Sequence, residues 1–322
     1  MSVLVYTENW DGKFKKLSFE LVSYAAKIAE ELNTKVVAVS IGNVEKAALA
    51  ELGKYGASKV IVVCNGELNN LDNKAYNAVL AQAAEKEGAN VIILAHNNKG
   101  KALAPGLSVK MKAGLISGVT GLPSSYSPMV VKKKSFTGAA FANVKVLSEK
   151  SILTLFQNSY AVVEKNIEPS IEEFAPALPA INTQVTNVDK VTGKILLSDA
   201  EIVVSGGRGM KGPENWSGIE ELAQILGAAT ACSRPVSDEG WRGHSEHVGQ
   251  TGKIIAPNLY FALGISGAIQ HLGGVSSSKC IVAVNTDKDA PIFEAADYGI
   301  IGDVRKVLPD MITAFKEFKA SN

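Results

Sequence analysis

Four runs of aliphatic and β-branched residues, VLVYT, KVVAVSI, SKVIVVC and NVIILAH, recur at intervals through residues 1–95. Each is apolar along its whole length, not at every second position, so a strand built from it must be buried on both faces. A parallel sheet covered by helices on either side satisfies that condition; a hairpin with one wet face does not. The intervening segments, near 17–31, 44–53 and 72–87, carry helical spacing. A β-α repeat of this kind selects an open α/β layer architecture.

Beyond residue 100 the texture shifts. MVVKKKSF, NVKVLS and SILTLF are shorter, are punctuated by Gly and Pro, and predict extra strands, some antiparallel. GKALAPG, between the fourth run and these segments, is read as a helix start. Residues 164–190 hold three prolines and little periodicity, so they read as an extended arm or linker. The strand-helix rhythm resumes with EIVVSGG, which puts a boundary near residue 190, with domains at 1–190 and 191–322. In the second half, EIVVS, ATACS, LYFALG, KCIVAVN and YGIIG are the strands. Helices are expected from Ser217, after Ser266, near 290–296 and from about residue 304. Ser217 and Glu220 have capping-box spacing. The predicted fold class is α/β, with two doubly wound domains.

With 33 basic and 32 acidic side chains and no strong bias in either half, the chain lacks the footprint of a nucleic-acid binder. The KKK at 132–134 is read as a solvated rim. Cys64, Cys232 and Cys280 lie far apart and fit buried reduced thiols better than a disulfide framework. The first residues already form a strand pattern, and no apolar stretch is long enough to span a bilayer, so no membrane insertion and a cytoplasmic location are expected.

Ligands of doubly wound sheets sit beyond the carboxyl ends of the strands, and the unusual residues of the second half cluster there. VSGGRGMKG has the spacing of a dinucleotide fingerprint at Gly207, Gly209 and Gly212, and this motivates an NAD-dependent dehydrogenase as the alternative reading. Against it, Pro213 delays the helix to Ser217, and ATACS lacks the acidic residue that would hold a ribose. A glycine-rich loop presenting Arg208 to a phosphate or carboxylate fits better, with a solvent-facing arginine as the plain rival. Ser233 and Arg234 follow the next strand. HVGQTGK brackets Gln250 and Thr251 with glycines, allowing close approach to a flat ligand or simply making a tight turn. GISGAIQH offers backbone amides for an anion, then His271 a helical turn later. Asn285 and Asp303 again follow strands; Asp303 suits a ribose contact or a helix cap equally. His244 and His247 have no evident third ligand, which disfavours zinc. His96 is read as structural, and no catalytic triad is indicated. A non-catalytic nucleotide sensor is a further rival.

Taken in order, GGRG, SRP, VGQTGK, GISGAIQH, the asparagine after IVAV, and ADYGI resemble the alpha subunit of electron transfer flavoprotein. The resemblance covers essentially the whole second half. It implies an N-terminal nucleotide-hydrolase-like α/β domain whose arm supplies a subunit interface, and a C-terminal FAD-binding parallel-sheet domain. It implies FAD as cofactor and a beta subunit as partner in a heterodimer. Electrons would pass from acyl-CoA or related flavin dehydrogenases to an electron transfer flavoprotein-quinone oxidoreductase. Carried over by position, the cofactor contacts fall on Arg208, Ser233 and Arg234, and on Val248, Gly249, Gln250 and Thr251. They continue on Ser266, Gly267, Ala268, Ile269, Gln270 and His271, then on Asn285, Asp303 and Val304. The resemblance puts Thr251 at the flavin N5, His271 near the O2 carbonyl, Arg234 over the ring, and Asn285 with Asp303 towards adenosine. The bulky stretch WRGHSEH departs from the family's usual proline-containing loop.

Overall fold

The computed structural model describes residues 1–136, 140–188 and 195–321. The chain separates into two compact units, Met1–Val188 and Asp189–Asn322. The boundary expected near residue 190 lies outside the described residues.

The first unit opens with β1 (Ser2–Tyr6), a short hairpin of β2 (Asn9–Trp10) and β3 (Lys13–Phe14), and α1 (Lys16–Glu31). Then come β4 (Lys35–Ile41), α2 (Lys46–Glu51), β5 (Lys59–Val63), α3 (Asn73–Lys86), β6 (Ala89–Ala95) and α4 (Asn98–Met111). The strands β7 (Gly114–Val119), β8 (Ser125–Tyr126), β9 (Met129–Ser135), β10 (Ala140–Lys145), β11 (Ser151–Leu155) and β12 (Ser170–Glu173) complete it. Among the described residues one ten-stranded sheet runs β10-β9-β7-β11-β6-β1-β4-β5-β12, with β8 paired to β9. The central pairs are parallel and the β9 pairs antiparallel.

The uninterrupted apolar runs have a simple cause. Val3 and Val5 enter one core with α1, while Leu4 and Tyr6 enter the other with α3 and α4. Each such side chain contributes about 1.5–3 kcal/mol when fully buried. Helix starts are fixed by local acceptors: Asp72 accepts from the N–H groups of Lys74 and Ala75, and Asn97 from that of Gly100. GKALAPG therefore lies inside α4, whose cap is Asn97.

Two other expectations change in this unit. The arm supplies β12, a parallel strand on β5, and the N–H of Ile167 donates to Gly53 O at 3.0 Å. An edge strand needs a free backbone ladder more than an apolar sequence, which is why SIEE gives little warning. The lysine run is not uniformly solvated, since Lys132 lies over the Phe141 ring at 4.1 Å and Lys134 is partly buried over Phe156. His96 bonds Thr154 Oγ1 at 2.8 Å and packs on Phe156.

The second unit contains β13 (Ile202–Gly206), α5 (Ser217–Leu226), β14 (Ala229–Cys232), α6 (Arg234–Asp238) and β15 (Leu259–Leu263). It continues with α7 (Ile269–Val275), β16 (Cys280–Asn285), α8 (Ile292–Ala295), β17 (Tyr298–Ile301) and α9 (Val304–Ser321). The five strands are parallel, in the order β14-β13-β15-β16-β17. The first strand thus pairs with the second on one side and the third on the other, so order reverses between β13 and β15. That is the switch point at which such sheets open a crevice. Ser217 does not cap α5: a 3₁₀ turn at Pro213–Asn215 runs into the helix, and Trp216 O accepts the leading N–H groups. Glu220 instead meets Arg242 Nη1 at 2.8 Å. All three thiols are free, but Cys64 is exposed, not buried.

Candidate functional site

A cleft of about 480 Å³ opens at the carboxyl ends of β13 and β15, within the volume range typical of cofactor sites. Its floor is made by two loops that touch through glycine backbone. A Cβ on Gly207 would stand 2.2 Å from Gly264 O, and one on Gly209 would stand 2.6 Å from Gly264 Cα. Gly264 itself has a φ of +66°, a left-handed conformation that other residues adopt at a cost. These glycines therefore serve loop-on-loop packing, and the nucleotide-fingerprint spacing is a by-product of it. Arg208, in the short 3₁₀ turn that follows, is exposed and lines the cleft.

Ser233 and Arg234 enter from the end of β14. Pro235 fits the first turn of α6, where no N–H is needed. Ser233 is buried, whereas the Arg234 side chain is 63% exposed and bonded to Asp238 at 3.3 Å. An exposed pair of this kind is worth little, so the guanidinium is available to a ligand. Both residues line the cleft.

The 247–253 turn forms the next wall. Val248 N–H donates to Cys232 O at 3.0 Å, and Gly249 N–H to Lys253 O at 3.1 Å. Gly252 has no room for a side chain because a Cβ would lie 2.8 Å from the His247 ring. Val248, Gly249 and Thr251 line the cleft. Gln250 does not, its N–H being donated to Gln270 O at 2.7 Å, which ties this turn to α7. The unusual 241–247 stretch is held by Arg242, which bonds Glu246 at 2.9 Å and Glu220 at 2.8 Å and lies over Trp216.

The opposite wall runs from Gly264 to His271. Gly267, at φ +85°, passes so near α8 that a Cβ would be 2.3 Å from Ile292 N. Ser266, Gly267, Ala268, Gln270 and His271 line the cleft, and Ile269 lies outside it, 73% exposed. His271 is 7% exposed. Its Nε2 lies 2.8 Å from Tyr260 Oη, and its Nδ1 is buried with no hydrogen-bond partner among the described residues. Burial pushes its pKa down to about 4, His247 adding to the shift and the nearby Val248 backbone opposing it. The imidazole is thus neutral at pH 7 and acts as a donor or acceptor, not as a cation.

Asn285 also lines the cleft, with Nδ2 donating to Ile265 O at 2.8 Å and Oδ1 accepting from Asp287 N–H at 3.0 Å. Asp303 and Val304 do not. Asp303 bonds Arg305 through Nη2 at 2.7 Å and through its backbone N–H at 3.0 Å, which holds its carboxyl well below the usual range. Val304 is 3% exposed, in the apolar core under α9. Twelve of the sixteen residues singled out from the sequence therefore meet in one cleft, Arg234, Thr251 and His271 among them.

Sequence reasoning missed Gly209, Pro235, His247, Gly264 and Ile265 as lining residues. His247 was visible only as half of a metal pair, and among the described residues no group of metal-ligand side chains forms. The lining carries two arginines and no carboxylate, which suits an anionic ligand. Two guanidiniums and the Ser233, Thr251 and Ser266 hydroxyls, in a lining without a carboxylate, fit a polar, phosphate-bearing cofactor.

Comparison with known proteins agrees with this geometry. A family model described as the electron transfer flavoprotein domain matches residues 3–179, and one described as the electron transfer flavoprotein FAD-binding domain matches residues 196–276. The electron transfer flavoprotein subunit alpha of Syntrophomonas wolfei is 38% identical, over 97% of this chain and 98% of that protein. The protein of the same name from Bacillus subtilis is 36% identical, over 98% and 97%. The acryloyl-CoA reductase electron transfer subunit beta of Anaerotignum propionicum is also 36% identical, over 98% and 96%.

Proposed function

The chain belongs to the electron transfer flavoprotein alpha-subunit family, and from that premise we propose that the β13–β15 cleft is where it holds FAD and tunes it as an electron carrier. The observation that carries this reading is the convergence of Arg234, Thr251 and His271 on one cleft without a carboxylate. When bound, FAD supplies the redox chemistry, accepting and releasing electrons singly or in pairs. The chain's own residues supply position and field. Arg208 and Arg234 provide charge-assisted donors for phosphate or for charge gained on reduction. Thr251 offers a hydroxyl that both donates and accepts. His271, kept neutral by burial, contributes a hydrogen bond without a full charge.

The dehydrogenase alternative is not supported, since two of the three glycines on which it rested, Gly207 and Gly209, are used in packing against Gly264. The finer assignments follow from the family. They are a heterodimer with a beta subunit, reduction by acyl-CoA or related flavin dehydrogenases, and onward transfer to a quinone oxidoreductase in the cytoplasm. The name of the Anaerotignum relative supports an acyl-CoA-linked redox partner. Among the described residues no helix is long and apolar enough to cross a membrane.

The test is a reductive titration of the heterodimer obtained by co-expression with beta. The purified protein should show flavin absorbance, and Arg234→Ala should lower the first one-electron potential by tens of millivolts, ~59 mV corresponding to about 1.4 kcal/mol. A colourless heterodimer would sink the proposal. An unchanged potential in a flavin-loaded variant would remove Arg234 from it.

A further inference from the structure

We propose that Arg242 is a positioning residue of the cleft: by holding both carboxylate oxygens of Glu246 and bracing itself on Glu220, it fixes the 247–251 wall against β14 and so sets how tightly the cleft holds its cofactor. The inference rests on FAD occupying that cleft. It concerns a side chain that does not line the cleft and that lies in WRGHSEH, the stretch whose sequence departs from the usual loop.

This wall needs fixing from outside itself. Residues 239–258, between α6 and β15, hold Gly240, Gly243, Gly249 and Gly252, have no proline before Pro257, and contain a short 3₁₀ turn at His244–Glu246. A segment so rich in glycine has much conformational freedom to lose on ordering. From Val248 onward the main chain supplies the ties, through Val248 N–H to Cys232 O on β14 and Gln250 N–H to Gln270 O on α7. Upstream, Glu246 N–H donates to Gly243 O at 2.9 Å and His247 N–H to His244 O at 3.2 Å, both inside the segment. Trp241 packs on the apolar core below, and Arg242 makes the polar ties.

Its Nε and Nη2 meet Glu246 Oε2 and Oε1, each at 2.9 Å, a fork that a lysine cannot reproduce. Nη1 reaches Glu220 Oε1 on α5 at 2.8 Å, and the guanidinium carbon lies over the Trp216 ring, 5.6 Å from its centroid. Thr230 Oγ1, on β14, adds a bond to Glu246 Oε2 at 3.3 Å. The arginine and Glu246 side chains are 19% and 15% exposed, so the pair is sheltered where the Arg234–Asp238 pair is not. Glu246 directly precedes His247 and Val248, which line the cleft, and β14 leads into Ser233 and Arg234, which also line it. The clamp therefore joins two segments of the lining and sets their spacing. Without the arginine, Glu246 becomes a sheltered carboxylate lacking its cation; it turns towards water and draws the wall with it.

Flavin affinity separates positioning from simple bracing. In the heterodimer with beta, Arg242→Gln and Glu246→Gln should each raise the FAD dissociation constant about tenfold. The double variant should bind no more weakly than either single one, as expected of two residues acting through one contact. Glu220→Gln removes only the outer brace, whose side chain is 52% exposed, and should weaken binding by no more than about threefold. The visible circular dichroism of flavin bound at saturation should change in Arg242→Gln, because the wall beside it moves. A lowered unfolding temperature with unchanged dissociation constant and dichroism would make Arg242 a stability tie alone and overturn the proposal; additive losses in the double variant would overturn it too. If Arg242→Gln fails to fold, the dissociation constant of Glu246→Gln decides. Absence of flavin from the wild type would instead count against the cleft reading, separating the two failures.

Discussion

Taking an imidazole out of water selects its neutral form, and His271 does so at a stability cost that depends on pH. Its pKa falls from 6.5 to about 4 on folding, so between those values the unfolded chain binds the extra proton. Stability therefore rises with pH across that window, is complete above about 6.5 and is lost as pH drops towards 4. The difference is at most about 3 kcal/mol at ~1.36 kcal/mol per pH unit. Denaturant unfolding of the flavin-free chain at pH 7 and pH 4.5 should show His271→Gln reducing the acid-induced loss by about 2–3 kcal/mol. An equal loss in both proteins would mean that His271 does not titrate in this way. Its place in the cleft was readable because GISGAIQH is a contiguous motif after a strand. Its partner was not: Tyr260 sits inside an apolar run, and nothing in LYFALG distinguishes a hydroxyl bonded to a histidine eleven residues on from ordinary core. Asp303 shows the converse, a cap whose local bonds to Arg305 match a ribose contact in sequence alone.

At the scale of elements, strands buried on both faces declared themselves by composition, and the parallel order of the second sheet followed from short β-α spacing. The arm did not, because its pairing depends on a distant edge. Gly53 tests that pairing. A Cβ there would lie 2.2 Å from Ile167 O and 2.4 Å from Pro169 Cδ, both in the arm. Its backbone is 3₁₀ and not left-handed, so alanine carries no conformational penalty of its own. Gly53→Ala should lift residues 165–173 from β5, with a stability loss of about 1–3 kcal/mol and faster proteolysis within 160–185. Wild-type cleavage kinetics would contradict this account of the arm. The Ser217 misreading has a similar origin, since capping-box spacing cannot reveal that a preceding 3₁₀ turn already satisfies the helix start.

For the molecule as a whole, the cleft proposed to hold FAD belongs to the second unit, and the first unit is a broad sheet ending in the β9–β10 ribbon. Phe136 and Phe141, in and beside that ribbon, are 83% and 54% exposed. A subunit interface on residues 1–188 is therefore our proposal for the beta partner, since exposed aromatics are enriched where subunits meet. Deleting residues 1–188 should weaken association with beta at least about tenfold, roughly 1.4 kcal/mol, in a pull-down or calorimetric titration. Undiminished affinity would move the interface to the second unit. The contact of Gly209 with Gly264 carries a consequence for how this architecture varies. Where main chain abuts main chain, no rotamer can yield, so the niche has a width set by peptide dimensions alone. Replacement at either position would reshape the space offered to a guest before it unravelled the scaffold, and divergence in what such a chain accommodates must enter through the rim.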